Sequence, residues 1–291
     1  MENKAVTTKD FFSKDSVVNK FKELLGNKSA GFITGVLQVV NQNKLLQTTD
    51  PKSIYQAAAM AAILDLPINN NLGMAWVVPY KGNAQFQIGW KGFVQLAQRS
   101  GQYLRINVTE VYENQYKYFN QLTEEFDADF NLEGTGKIVG YVGYIKLING
   151  FEKTTYWSKT KVENHAKKYS QAYKNEKSMS PWRDSEQFHE MAKKTVIKNL
   201  LSKWGPLSIE MVKAQTVDQA VINDFETEDI TYVDHEPNQL EPESTSHSDL
   251  KQLYEDKKDT LTEEQRESAE RIINGFEVHS YGKLTNILKS K

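Results

Sequence analysis

The chain has 291 residues, 39 % of them hydrophobic, with 36 Lys+Arg against 38 Asp+Glu and a formal net charge of -2. This length allows one large domain plus an appendage. The lack of cysteine excludes disulfides, thiolate metal sites and cysteine nucleophiles, and no apolar run reaches the length of a membrane span or follows a basic start like a leader peptide.

Val17, Val18, Phe21, Leu24 and Leu25 recur at helical spacing and are closed by Gly26, and a second helix is expected over 29–46. Asp50-Pro51 supplies an N-cap followed by proline at the first helical position, so a helix starts there. It runs through an alanine-rich segment to Leu66, where Pro67 stops it. Strands follow near Met74–Tyr80 and Ala84–Ile88, turned by Lys81-Gly82-Asn83. A helix is expected from Trp90 to Ser100, ending at Gly101. Residues 103–113 alternate as a strand, and 116–130 suit a small acidic hairpin. Asn149-Gly150 joins strands at 137–148 and 151–157, which predicts a three-stranded antiparallel sheet. Ser158 caps a helix over 159–169, residues 170–181 read as a polar loop, and a long helix spans 184–203. A further helix is expected over 208–222.

Charge divides the chain near residue 217. Residues 1–217 hold 28 Lys+Arg against 20 Asp+Glu, whereas 218–291 hold 8 against 18. A basic body with an acidic tail suits a nucleic-acid partner, although a charged tail also simply keeps a protein in solution. Residues 218–247 read as a disordered acidic linker, and 248–291 as a small helical module in which Thr262 and Gln265 form a capping box. The fold class is therefore α+β: N-terminal helices, a β-hairpin plus helix, and a three-stranded antiparallel sheet packed by a long helix. Residues 1–217 are expected to fold without the rest.

The segment Pro79–Tyr103 carries Lys81, Lys91 and Arg99, Arg105 follows, and no acid lies between Asp65 and Glu110. On a helical projection Lys91, Gln95, Gln98 and Arg99 share an arc of about 100°, with Trp90, Phe93, Val94 and Ala97 opposite. Lysine and arginine bind phosphate oxygens, and glutamine donates to phosphate or sugar. The alternative is an ordinary amphipathic helix with a solvated face. Gln85 and Gln87 share a strand face opposite Phe86 and Ile88. Trp90 and Phe86 read as packed side chains and Tyr80 as open. Lys194 and Lys198 point the same way at i, i+4 on the far side of the long helix's apolar band. Lys193 lies near that band, where it can snorkel, and Lys203 sits where the helix dipole favours a cation. Lys161, Lys167, Lys168, Lys174, Lys177 and Arg183, with Tyr169, Tyr173 and Trp182 among them, load 159–183 with positive charge, as single strands would favour, with a mobile lysine-rich loop as the alternative.

Three runs then stand out in order: LDLPINNNLGMAW, QFQIGWKGFVQLAQRSGQY and WRDSEQFHEMAKKTVIKNLLSKW. They resemble the phage RecT family of single-strand-annealing recombinases over about residues 15–213, with Lys194 and Lys198 at basic positions of the family motif. The resemblance implies ATP-independent annealing of complementary strands, ring or helical homo-oligomers on DNA, and a cooperating exonuclease. Residues 248–291 are the candidate docking piece for that exonuclease or for a single-strand-binding protein.

No GxxxxGK[ST] loop is present, Gly89-Trp90-Lys91-Gly92 is no dinucleotide fingerprint, and the five histidines lack metal-ligand spacing. The expected protein is therefore not an enzyme. Base pairing supplies the free energy, no ATP or other cofactor is required, and Mg2+ enters only as a DNA counterion. The expected DNA-binding set is Lys81, Gln85, Gln87, Lys91, Gln95, Gln98, Arg99, Arg105, Lys194, Lys198 and Lys203. Its partners are single-stranded DNA and the annealing duplex, with no membrane, in the cytoplasm of a bacterial host cell. The alternatives are a metal-dependent nuclease using the acids at 124–133, or a structural or RNA-binding oligomer.

Overall fold

Asp50 and Pro51 start the helix around which the first half of the molecule is built. The Asp50 carboxylate accepts hydrogen bonds from the Lys52 and Ser53 amides, and α5 runs over Pro51–Ile63 behind α1 (Thr8–Phe12), α2 (Asp15–Leu25), α3 (Ser29–Gln42) and α4 (Lys44–Gln47). The single helix expected over 29–46 is broken because the Asn43 side chain caps α4, accepting from the Leu45 and Leu46 amides. Ala57 to Ala62 of α5 are all buried. The alanines among them admit close neighbours, and both helices and strands pack against α5. Phe12, Phe21 and Tyr55 fill the space between α1, α2 and α5, with centroids 5.9 Å apart for Phe12–Phe21 and 5.7 Å for Phe21–Tyr55.

The computed structural model describes residues 7–174 and 180–232, and scattered positions between 251 and 270. After α5 come β1 (Ala75–Tyr80), β2 (Asn83–Ile88), α6 (Trp90–Arg99), β3 (Tyr103–Tyr112), β4 (Tyr116–Phe119), β5 (Phe126–Ala128), β6 (Ile138–Leu147) and β7 (Glu152–Ser158). Helices α7 (Lys159–Tyr169), α8 (Gln171–Lys174), α9 (Ser185–Trp204) and α10 (Ile209–Val217) follow, then β8 (Ala220–Asp224) and β9 (Asp229–Tyr232). The β1–β2 turn places Lys81 and Gly82 at φ 46° and 84°, the left-handed pair that matches strand twist in a two-residue hairpin.

The strands form an antiparallel sheet of order β1-β2-β8-β9, a second of order β3-β6-β7, and the small β4-β5 hairpin. The second sheet is the three-stranded one that the sequence predicts. One of its faces carries α9. Gly143 lets that helix sit close, since a Cβ there would lie 3.0 Å from Leu200 and 3.2 Å from Val196. The other face is covered near Tyr156 by Tyr116, Phe119 and Phe126 from β4 and β5, at 5.1–5.4 Å between centroids.

Two expectations are corrected. Residues 218–232 are no linker: β8 pairs with β2 and β9 pairs with β8, so they complete the first sheet. The physical reason is local. Helix α10 stops at Val217, Gln219 turns at φ 68° and donates to the Phe86 carbonyl at 2.8 Å, and Ala220, Val221, Ile222 and Phe225 are buried. The first compact unit accordingly runs from Met1 to Asp234, and the second from His235 to Lys291. The 170–181 loop likewise contains α8. Residues 233–247 of the expected linker lie outside the described residues.

In the second unit Thr262 and Gln265 form the expected capping box. The Gln265 amide donates to Thr262 Oγ1 at 3.4 Å, and Gln265 Oε1 accepts from the Thr262 amide at 3.1 Å. Tyr254 and Ala269 are buried there, and Tyr254 donates to Glu270 at 2.9 Å.

Candidate nucleic-acid interface

Helix α6 is the amphipathic element that the sequence predicts. Phe93, Leu96 and Ala97 are buried, Lys91, Gln98 and Arg99 are exposed, and Gln95 is half-buried. Its N-terminus is locked by two glycines. A methyl group at Gly89 would overlap the Gly73 carbonyl, and one at Gly92 would overlap the Met74 carbonyl. These residues explain the GWKG run as close packing of α6 on the turn that leads into β1. Trp90 is half-buried and donates from Nε1 to Glu190 at 2.7 Å, with Lys91 and Lys193 5.7 Å and 5.2 Å from its ring. Phe86 is fully buried, whereas Tyr80 is partly exposed with Lys81 5.3 Å from its ring.

The cations are not equally available. Lys91 projects from the α6 face with no acid in ion-pair range among the described residues. Arg99 reaches Asp65, at 3.3 Å from its carbonyl and 3.8 Å from its carboxylate, with a side chain 34 % exposed. A surface pair of this kind is weak enough for a phosphate to compete. Lys193 is neither free nor snorkelled, because Glu110 lies 3.3 Å away and Glu190 pairs with it as well. Burial works against ionisation of Glu190, but Lys193 and the Trp90 N–H outweigh it and hold the carboxyl below its ordinary range.

Helix α9 departs most from expectation. Lys194 is 5 % exposed and contacts Asp218 Oδ1 at 2.8 Å, while Lys198 contacts Asp218 Oδ2 at 2.8 Å. The Ile88 amide donates to the same carboxylate at 2.9 Å. The side of α9 that the sequence assigns to solvent is covered by α6 and the chain entering β8, so Lys194 is corrected from a phosphate contact to a buried ion pair. Burial pushes the Lys194 amine down, with Lys198 repelling it and Asp218 opposing both. Burial also disfavours the Asp218 carboxylate, yet the two lysines win and hold its pKa below the ordinary value. Lys198 keeps 31 % side-chain exposure, so it edges the α6 surface, 5.8 Å from the Phe93 ring. Gln85 is corrected as well. It is 1 % exposed, because β8 makes β2 an inner strand, and its amide donates to the Gln219 carbonyl. Gln87 is half-buried and donates to Gln85 at 2.8 Å.

A RecT family model matches residues 30–232. The chain belongs to the RecT family. The match ends with β9, in agreement with the structural extent of the first unit. The chain is similar to the uncharacterised protein YqaK of Bacillus subtilis (strain 168), with 46 % identity over 214 residues, covering 74 % of this chain and 72 % of YqaK. It is also similar to Protein RecT of Escherichia coli (strain K12), with 28 % identity over 188 residues, covering 60 % of this chain and 65 % of that protein. RecT-family membership carries DNA binding and single-strand annealing in recombination rather than classical enzyme chemistry. Among the described residues no helix is long and apolar enough to cross a membrane.

The RecT-family fold thus gathers Lys91, Gln95, Gln98 and Arg99 on one helix face, with Lys198 at its margin. It does not bring in the others. Lys81 stands at the β1–β2 tip, Arg105 is exposed on the second sheet opposite Lys146, and Lys203 is exposed at the end of α9. The residue that sequence reasoning missed is Asp218. Its available signal was a lone acid between the end of a helical pattern and the apolar run Ala220-Val221-Ile222.

Proposed function

We propose that this protein binds single-stranded DNA without regard to sequence and anneals complementary strands without ATP, using the outer face of α6. The observation carrying this reading is that face: Lys91, Gln95, Gln98 and Arg99 on a helix fixed by Gly89 and Gly92, in a stretch that has no acid from Leu66 to Thr109. Cations and amides grip phosphate and sugar and leave base edges free for a second strand. Neutralised phosphates also repel an incoming strand less. Base pairing supplies the free energy, Mg2+ acts as a counterion, and ring or filament homo-oligomers on DNA repeat the α6 face from copy to copy. The setting is the cytoplasm of a bacterial host, and residues 248–291 dock an exonuclease or a single-strand-binding protein.

The test mixes two complementary labelled oligonucleotides in the absence of nucleotide, for several unrelated sequences. Annealing accelerated to a similar degree for all of them supports the proposal. A strict need for ATP, or acceleration confined to one sequence, rejects it. Strand cleavage that tracks the protein would favour the nuclease reading, but two of the acids it would use are engaged: Glu124 pairs with Lys153, and Asp127 with Lys117 at 3.3 Å.

A further inference from the structure

The end of α9 and the start of β7 build a second surface that the α6 reading does not use. Trp204 and Phe151 are 41 % and 40 % exposed, and their rings stack with centroids 6.5 Å apart and planes inclined by 30°. Two large aromatic faces held together in solvent are unusual for residues whose only role is packing. Lys153 sits 4.4 Å from the Trp204 ring, and Lys161, at the start of α7, sits 4.4 Å from the Trp157 ring. Lys203 precedes Trp204 and is close enough to repel Lys161. Of the acids nearby, Glu124 pairs with Lys153 and Glu152 with Lys146. Lys153, Lys161 and Lys203 therefore outnumber Glu124 around the exposed aromatic pair.

Resting on the annealing function proposed above, we infer that Trp204 and Phe151 form a base-stacking platform for single-stranded DNA, with Lys161 and Lys203 holding its phosphates. Bases of any sequence offer a π-face, and a flanking cation holds the backbone, so this chemistry suits a strand bound without sequence preference. An apolar patch between protein copies would have little use for lysines among its aromatic rings, because charge is depleted in interface cores. Burial pushes the Lys161 amine down and Lys203 pushes it further, with Glu124 opposing them.

The experiment uses the full chain and two probes of equal length: a labelled oligo(dT), and an oligonucleotide of the same phosphodiester length with abasic sites throughout. W204A and F151A should each weaken oligo(dT) binding roughly 5- to 150-fold. Binding of the abasic probe should stay nearly unchanged, and W204F should recover most of the loss. K161Q/K203Q should weaken both probes and lower the salt slope by roughly 0.7 per lost contact. Thermal melting and sedimentation accompany each variant. Equal losses on both probes, or no loss on either, would overturn the platform. Oligomer dissociation in step with lost binding would also overturn it and assign the patch to contacts between copies. Failure of the annealing reading is distinct, because it is read from strand annealing by the unsubstituted chain, whereas the platform is read from the difference between the two probes.

Discussion

Helices α6 and α9 carry the same kinds of residue at similar spacing, and the fold uses them in opposite ways. On α6 the cationic arc faces solvent, with Lys91, Gln98 and Arg99 exposed while Phe93, Leu96 and Ala97 pack inward. On α9 the second sheet covers one side and α6 with Asp218 covers another, so Lys194 is enclosed. A lysine pair at i, i+4 thus signals a surface ribbon only where no second element covers that side of the helix. On a helix held between two layers it becomes a buried tie, tolerable when a carboxylate and a backbone N–H complete it.

The largest test of this contrast is truncation. A chain ending at residue 217 loses Asp218 and both strands β8 and β9, which leaves Lys194 uncompensated and strips β2 of its partner on one edge. It should fail to give a cooperative melting transition, whereas a chain ending at residue 234 should melt as one unit. Two equally folded chains would show that β8 and β9 are dispensable.

Next in size is Asp218→Asn. Removing the acid from a buried pair costs about 3–5 kcal/mol, which denaturant titration at neutral pH would register. The pH dependence has a definite sign. Asp218 has a folded pKa below its ordinary 3.8, so its contribution is full above that value and disappears as pH falls through the lower, folded pKa. The unsubstituted chain should lose stability in that acid window more steeply than the Asn variant. Parallel acid limbs would mean that Asp218 is not ionised in the fold.

Gly92→Ala comes third, at about 1–3 kcal/mol from overpacking against the Met74 carbonyl. Because the clash tilts α6, DNA affinity should fall along with the melting temperature. A stable variant that binds normally would show that the α6 position is not fixed there.

Much of the fold was legible in the sequence because it rests on local signals. Asp50-Pro51, the Lys81-Gly82 turn, Asn149-Gly150, the Ser158 cap and the Thr262–Gln265 box each specify their element from adjacent residues. The β8–β9 strands were not legible. Residues 218–232 contain five acids and no Lys or Arg, so composition reads as solvated chain, while the partner that orders them, β2, lies about 130 residues earlier (Ile88 to Asp218). The candidate site divides in the same way. The α6 face follows from periodicity alone, but the fates of Gln85 and Lys194 depend on that distant strand and on Asp218. The Trp204–Phe151 stack joins a helix end to a hairpin, a contact that no spacing rule connects.

The measurement closest to the central claim is the salt dependence of single-stranded DNA affinity for the unsubstituted chain and for K91A/R99A. Both side chains lie on the exposed arc, and the Arg99–Asp65 contact is a surface pair worth about 0–1 kcal/mol, so the variant should melt nearly as before. The account predicts weaker binding to every sequence and a log K against log salt slope reduced by roughly 1.4, about 0.7 for each lost phosphate contact. A folded double variant with unchanged affinity and unchanged slope would contradict it and remove α6 from the DNA path.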